Sequence, residues 1–150
     1  MPARPIPAAV RAQLAAPSFW HLVTLNPDGS ASATPVWVDV DGDDVIVNTA
    51  VGRRKERNVR RDRRVVLATY DRENPYWWIE ISGRVVEIVE GERAEESIEE
   101  LAHKYLGRPR GGGAPGERRV ILRIAPEAIR TNNEAAGRAY VAGGADESEG

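Results

Sequence analysis

Apolar residues in this chain mostly alternate with polar ones, the period of half-buried strands, and a single long stretch repeats at helical spacing. Phe19 to Leu25 reads as a first strand, followed by the turn-forming Asn26-Pro27-Asp28-Gly29. Ala31 to Val40 reads as a second, with Val36, Val38 and Val40 alternating with Trp37 and Asp39. Asp41-Gly42-Asp43 then closes a hairpin into Asp44 to Ala50. Val65 to Tyr70, Tyr76 to Val89 and Arg118 to Ile124 complete six strands, and Gly83 marks a bulge or sharp bend in the long fifth one. Ile98, Leu101, Ala102, Tyr105 and Leu106 fall on one face of a helix from Glu92 to Leu106, acidic at its start and stopped by Gly107. Ala8 to Ala16 predicts a shorter helix ended by Pro17. Tight turns between neighbours make the sheet mainly antiparallel, and closing it into a small barrel removes exposed edges. The expected fold is therefore mainly β (α+β), six antiparallel strands with flanking helices.

A length of 150 residues suits one compact domain, expected over residues 1–131, with a flexible tail of small and polar residues over 132–150. The absence of cysteine excludes disulfides, thiolate metal sites and cysteine nucleophiles. The proline-rich start lacks the apolar run of a secretion signal, and no window approaches the ~20 apolar residues of a membrane span. A cytoplasmic protein without a membrane partner is expected. With two histidines, no metal-ligand spacing and no Ser-His-Asp arrangement, the expected metal content is none and no catalytic residue stands out. His21 reads as a hydrogen-bonded barrel residue and His103 as solvated.

Charge changes this picture. Arg53, Arg54, Lys55, Arg57, Arg60, Arg61, Arg63 and Arg64 fall within twelve positions of a chain whose formal net charge is −2. The cluster follows an apolar strand and opens a short helix, where cations oppose the helix dipole and free N–H groups invite an anion. The plain alternative is a solvated helix with Glu56 and Asp62 as partners. Nucleic acid is not the expected partner, because the acidic runs Asp39 to Asp44 and Glu87 to Glu100 break any wide positive face.

The stretch Val47-Asn48-Thr49-Ala50-Val51-Gly52-Arg53-Arg54-Lys55-Glu56-Arg57-Asn58, continuing to Val65, resembles the signature segment of the pyridoxamine 5′-phosphate oxidase-like enzymes. The strand Thr34-Pro35-Val36-Trp37-Val38 and the run Trp77-Trp78-Ile79-Glu80-Ile81-Ser82-Gly83 support the likeness, and the branch it is most similar to is the F420-dependent oxidoreductases. The resemblance implies an FMN-binding split β-barrel and a homodimer with two cofactors between the subunits. It also implies a cofactor phosphate held by Asn48, Thr49, Arg53, Arg54 and Lys55, with Asn58 either joining them or bracing the loop. Pro35, Val36 and Trp37 are then expected along the tricyclic ring, with Trp77 and Trp78 approaching across the dimer unless they are core and interface aromatics. Arg60, Arg61, Arg63 and Arg64 either follow the anionic oligoglutamate tail of F420 or are surface charge.

The implied enzyme is an F420-dependent reductase that transfers hydride from the deazaflavin to an activated C=C, C=N or quinone-like small molecule. One alternative is an FMN-dependent oxidoreductase of the pyridoxamine phosphate oxidase type. A second is a flavin- or deazaflavin-binding carrier without turnover. The glycine-rich loop 107–116 and the tail match no pattern of the family.

Overall fold

The computed structural model describes residues 5–132, so the tail expected from 132 onward lies, Asn132 apart, outside the described residues. In chain order the elements are α1 (Ala8–Ala15), β1 (Trp20–Leu25), β2 (Ala31–Val36), β3 (Val38–Asp41), β4 (Asp44–Ala50), α2 (Arg54–Arg61), β5 (Arg64–Tyr70), β6 (Trp78–Val89), α3 (Glu92–Leu106) and β7 (Arg119–Thr131). The strands form one antiparallel sheet in the order β2-β1-β5-β6-β7-β4-β3.

That order explains the first correction. One strand was expected over 31–40, giving six in all; the sheet has seven. β2 pairs with β1 while β3 pairs with β4, at the opposite end of the sheet, and Trp37 alone separates them. A sheet whose two edge strands are joined by one residue must curl until those edges meet. The ladder therefore breaks at Trp37, and the result is the expected barrel with a split.

The last strand is also longer than expected, running past Ile124 to Thr131. β6 has twelve residues and supplies partners over that whole length, from Val89↔Ile121 to Ile79↔Thr131. Pro126, which cannot donate to a ladder, is accommodated at a register shift beside Gly83. At Gly83 the two strands approach so closely that a Cβ would run into the Ala125 carbonyl oxygen.

Alternation decides what is inside. Trp20, Leu22, Leu67, Ile79, Ile81, Leu122, Ile124 and Ile129 face inward and share one core with Val10 and Leu14 of α1. A small second cluster of Ile46, Ala94 and Ile121 fixes α3 to the outer face of β4 and β7. The outer face of β1, β2 and β5 carries Val23, Ala33, Val66, Ala68 and Tyr70, with Tyr70 58% exposed. His21 is a barrel residue of β1, as expected, and lies exposed on this outer face because its neighbours Trp20 and Leu22 take the inward positions.

Candidate functional site

The turn from β4 into α2 sets the direction of the basic residues. Glu56, only 3% exposed, accepts a hydrogen bond from the Gly52 N–H at 2.8 Å and pairs with Arg60. This return contact fixes the first turn of α2, with Arg53 just outside the helix in extended conformation.

A groove of about 350 Å³ joins this turn to the junction of β2 and β3. Its lining divides by chemistry. Phe19, Pro35, Val36, Trp37, Ile98 and Leu101 are apolar; Arg53, Lys55, Arg110 and Arg119 are cations; Asn48 and Thr49 are neutral and polar. Burial pushes the Lys55 ammonium below its usual pKa, and the charges of Arg53 and Arg119 push it the same way. Among the described residues no acid forms an ion pair with Lys55. Burial likewise lowers the pKa of Arg119, against the pull of Glu117, although an arginine keeps its proton there.

Two buried side-chain polar atoms have no hydrogen-bond partner among the described residues, Thr49 Oγ1 and Arg110 Nε. Both belong to residues lining this groove. An unpaired buried polar atom costs about 1–3 kcal/mol, so their concentration at one place fits a site that a polar ligand completes. A second cavity of about 320 Å³ lies over the outer face of β4 and β7. Its arginines are already paired, Arg93 with Glu100 at 3.0 Å and Arg123 with Asp41 and Asp44 at 3.0 Å.

The pyridoxamine 5′-phosphate oxidase family matches residues 6–133 of the sequence. The chain belongs to this family. Among curated proteins, none matches the sequence. Among solved structures, one titled F420 reductase is 28% identical, with a TM-score of 0.70 over 79% of this chain and 94% of that one. A conserved hypothetical protein of Mycobacterium tuberculosis, Rv2991, is 23% identical, with a TM-score of 0.68 over 87% and 89% of the two chains. A variant of HupZ from Group A Streptococcus is 19% identical, with a TM-score of 0.61 over 84% and 98%. The last two likenesses concern the fold alone.

Within this member of the oxidase family, the groove gathers Pro35, Val36, Trp37, Asn48, Thr49, Arg53 and Lys55 from the expected set. It does not gather Arg54, Asn58, Trp77 or Trp78. Arg54, one helical step from its neighbours, points instead to Asn26 Oδ1 at 3.3 Å. Asn58 is 2% exposed and braces the opening hairpin, donating to Thr24 Oγ1 at 3.0 Å and Asn26 Oδ1 at 2.9 Å. Trp77 packs against the core and donates to Thr131 Oγ1 at 3.1 Å, while Trp78 lies on the outer face under Arg130, 6.0 Å from its ring centre. Asn48 accepts from Arg119 Nε at 2.8 Å and donates to the Ala94 carbonyl at 2.9 Å. It holds a cation in place.

The distal arginines do not line the groove. Arg60 pairs with Glu56 and Glu90, Arg61 donates to the Leu25 carbonyl and Asn58, and Arg64 pairs with Asp62 at 2.7 Å. Sequence reasoning missed Arg110 and Arg119. Arg110 sits in the glycine-rich loop 107–116, which matches no pattern of the family, and Arg119 lies in the last expected strand, far from the dense basic run. The one available signal was Glu117, a lone acid between these basic positions.

Proposed function

We propose that the chain is an F420-dependent reductase acting as a homodimer on an activated C=C, C=N or quinone-like small molecule. The observation that carries this reading is Lys55, a partly buried cation beside Arg53 and Arg119 with no acid of its own among the described residues. Arg53, Lys55 and Arg110 would hold the cofactor phosphate by charge-assisted hydrogen bonds, and Thr49 Oγ1 would complete the polar set. Arg119, oriented by Asn48, adds a fourth positive charge, more than a lone phosphate requires, which favours F420 with its anionic tail over FMN. The 28% identical F420 reductase supports the same choice.

When bound, reduced F420 supplies hydride, and the protein supplies position and a dry wall. Pro35, Val36 and Trp37 form that wall, and Trp37 is itself backed by Tyr105 at 5.2 Å in parallel stacking. Tyr105 is no proton source. Its hydroxyl is spent on Ser18 and Val38, and burial pushes its pKa up to about 12. The uncovered apolar face of β1, β2 and β5 fits a second copy of the chain, which would bring Trp78, the ladder partner of Tyr70, to the interface.

The test mixes reduced F420 with the protein and a panel of quinones and enones. Protein-dependent oxidation of F420, lost in Arg53→Ala/Lys55→Ala, is expected. Turnover with FMN alone would favour the flavin alternative, and tight binding without oxidation of any panel member would favour the carrier.

A further inference from the structure

Among the described residues one acid, Glu117, reaches three of the groove's cations, and Arg110 has a second partner in Glu99 at 3.7 Å. Glu117, at the end of the loop between α3 and β7, places Oε1 2.7 Å from Arg110 Nη1. Its Oε2 lies 3.4 Å from Arg119 Nη1 and 3.8 Å from Arg53 Nη2. The Glu117 side chain is 13% exposed. The hydrogen bond from Arg110, and then the charges of Arg119, Arg110 and Arg53, hold its carboxyl below the usual range against the effect of burial. At neutral pH it is a carboxylate shared by three of the four cations.

Each of those cations also has an anchor other than Glu117, and for Arg110 it includes Glu99 Oε2, 3.7 Å from its Nε. Arg119 is oriented by Asn48 Oδ1, and its backbone N–H donates to Glu95 Oε2 at 2.9 Å. The Arg110 backbone N–H is anchored on Glu99 Oε1 at 3.0 Å. Arg53 is set by the start of α2, where its carbonyl accepts from the Arg57 N–H at 3.0 Å. Removing the carboxylate would leave the cations at the groove and raise their positive potential.

The groove thus already contains an anion. Resting on the reading of the basic set as a phosphate site, we propose that Glu117 is a resident counter-anion whose contacts to Arg53 and Arg110 an incoming phosphoryl group must take over. Glu117 thereby sets how much negative charge a ligand needs. A group carrying two charges outcompetes the single carboxylate, while a singly charged group gains little by the exchange. The loop is built closely around the pair. At Gly113 a Cβ would stand 2.7 Å from Glu117 Cδ and 2.8 Å from Arg110 Nη2, so a side chain there would displace the ends of both partners.

The experiment titrates inorganic sulfate, a dianion at all working pH values, at constant ionic strength and follows tryptophan fluorescence, to which Trp37 contributes from the groove lining. Glu117→Gln removes the charge and keeps the shape; it is expected to bind sulfate at least about fivefold more tightly than the wild type. Gly113→Ala keeps the charge and wedges the pair apart, and it is expected to shift affinity in the same direction. A merely structural Glu117 would give equal or weaker binding in both variants, and that result overturns the proposal. Arg53→Ala/Lys55→Ala separates the two levels. If it leaves sulfate affinity unchanged, the phosphate site itself is misplaced, whatever Glu117→Gln does.

Discussion

Trp37 lies flat on Tyr105, with ring centroids 5.2 Å apart and planes 9° from parallel. Trp37 is the residue at which the chain leaves one edge of the sheet for the other, and Tyr105 comes from α3. The tyrosine hydroxyl donates to the Ser18 carbonyl at 2.7 Å and accepts from the Val38 N–H at 3.0 Å, so one side chain closes the split and backs the groove wall. Tyr105→Phe is expected to cost about 1–3 kcal/mol through the two groups left unpaired. Tyr105→Leu should cost about 0.5–1.5 kcal/mol more through lost stacking, and it should shift the emission of Trp37. Urea unfolding with fluorescence detection measures both; equal stability of Tyr105→Phe and wild type contradicts the bracing role.

Asn58 separates bracing from binding. Its amide satisfies Thr24 and Asn26 at 2% exposure, away from the groove lining. Asn58→Ala is expected to destabilise the fold by about 1–3 kcal/mol and to leave cofactor affinity within twofold. A large loss of affinity at unchanged stability would return Asn58 to the phosphate site.

Lys55 makes binding depend on pH with a definite sign. Its pKa in the ligand-free protein is below 10.5, from burial first and then from Arg53 and Arg119. A bound anion favours the charged form and raises that pKa. Cofactor binding above neutrality should therefore take up protons, and affinity should fall as pH rises through the lowered value. In Lys55→Arg, which cannot titrate there, the decline should flatten. The depressed pKa also means that the unfolded chain binds more protons between the two pKa values. The stability contribution of Lys55 accordingly rises with pH across that window. Lys55→Gln should then stabilise the ligand-free fold slightly near neutral pH while weakening cofactor binding. Calorimetry in buffers of differing ionisation enthalpy reads the proton uptake.

Gly83→Ala tests the close approach of β6 and β7. The added methyl meets the Ala125 carbonyl and sits 3.2 Å from Ile124 Cγ2, so a loss of about 1–3 kcal/mol is expected from overpacking. A variant as stable as the wild type would show that the bulge can shift freely.

Strand positions were legible because alternation is local: Asp44–Ala50 and Glu92–Leu106 match the sequence reading residue for residue. The break at Trp37 was not, because it comes from pairing with β1 on one side and β4 on the other, partners distant in sequence. The same reason hid half of the basic set. Arg53 and Lys55 announce themselves by density along the chain, whereas Arg110 and Arg119 reach the groove only through α3, β7 and the side chains of Glu99 and Asn48. Density alone does not separate the two groups. Arg60, Arg61 and Arg64 belong to the same run but are tied to Glu56, Leu25 and Asp62.

The most direct test of the phosphate-site account is a fluorescence titration of the tryptophans with F420, run on the wild type and on Arg53→Ala/Lys55→Ala. Saturable quenching at micromolar F420 that weakens at least about a hundredfold in the double variant is the result expected from two charge-assisted contacts. Equal quenching in both proteins, or none in either, would contradict it.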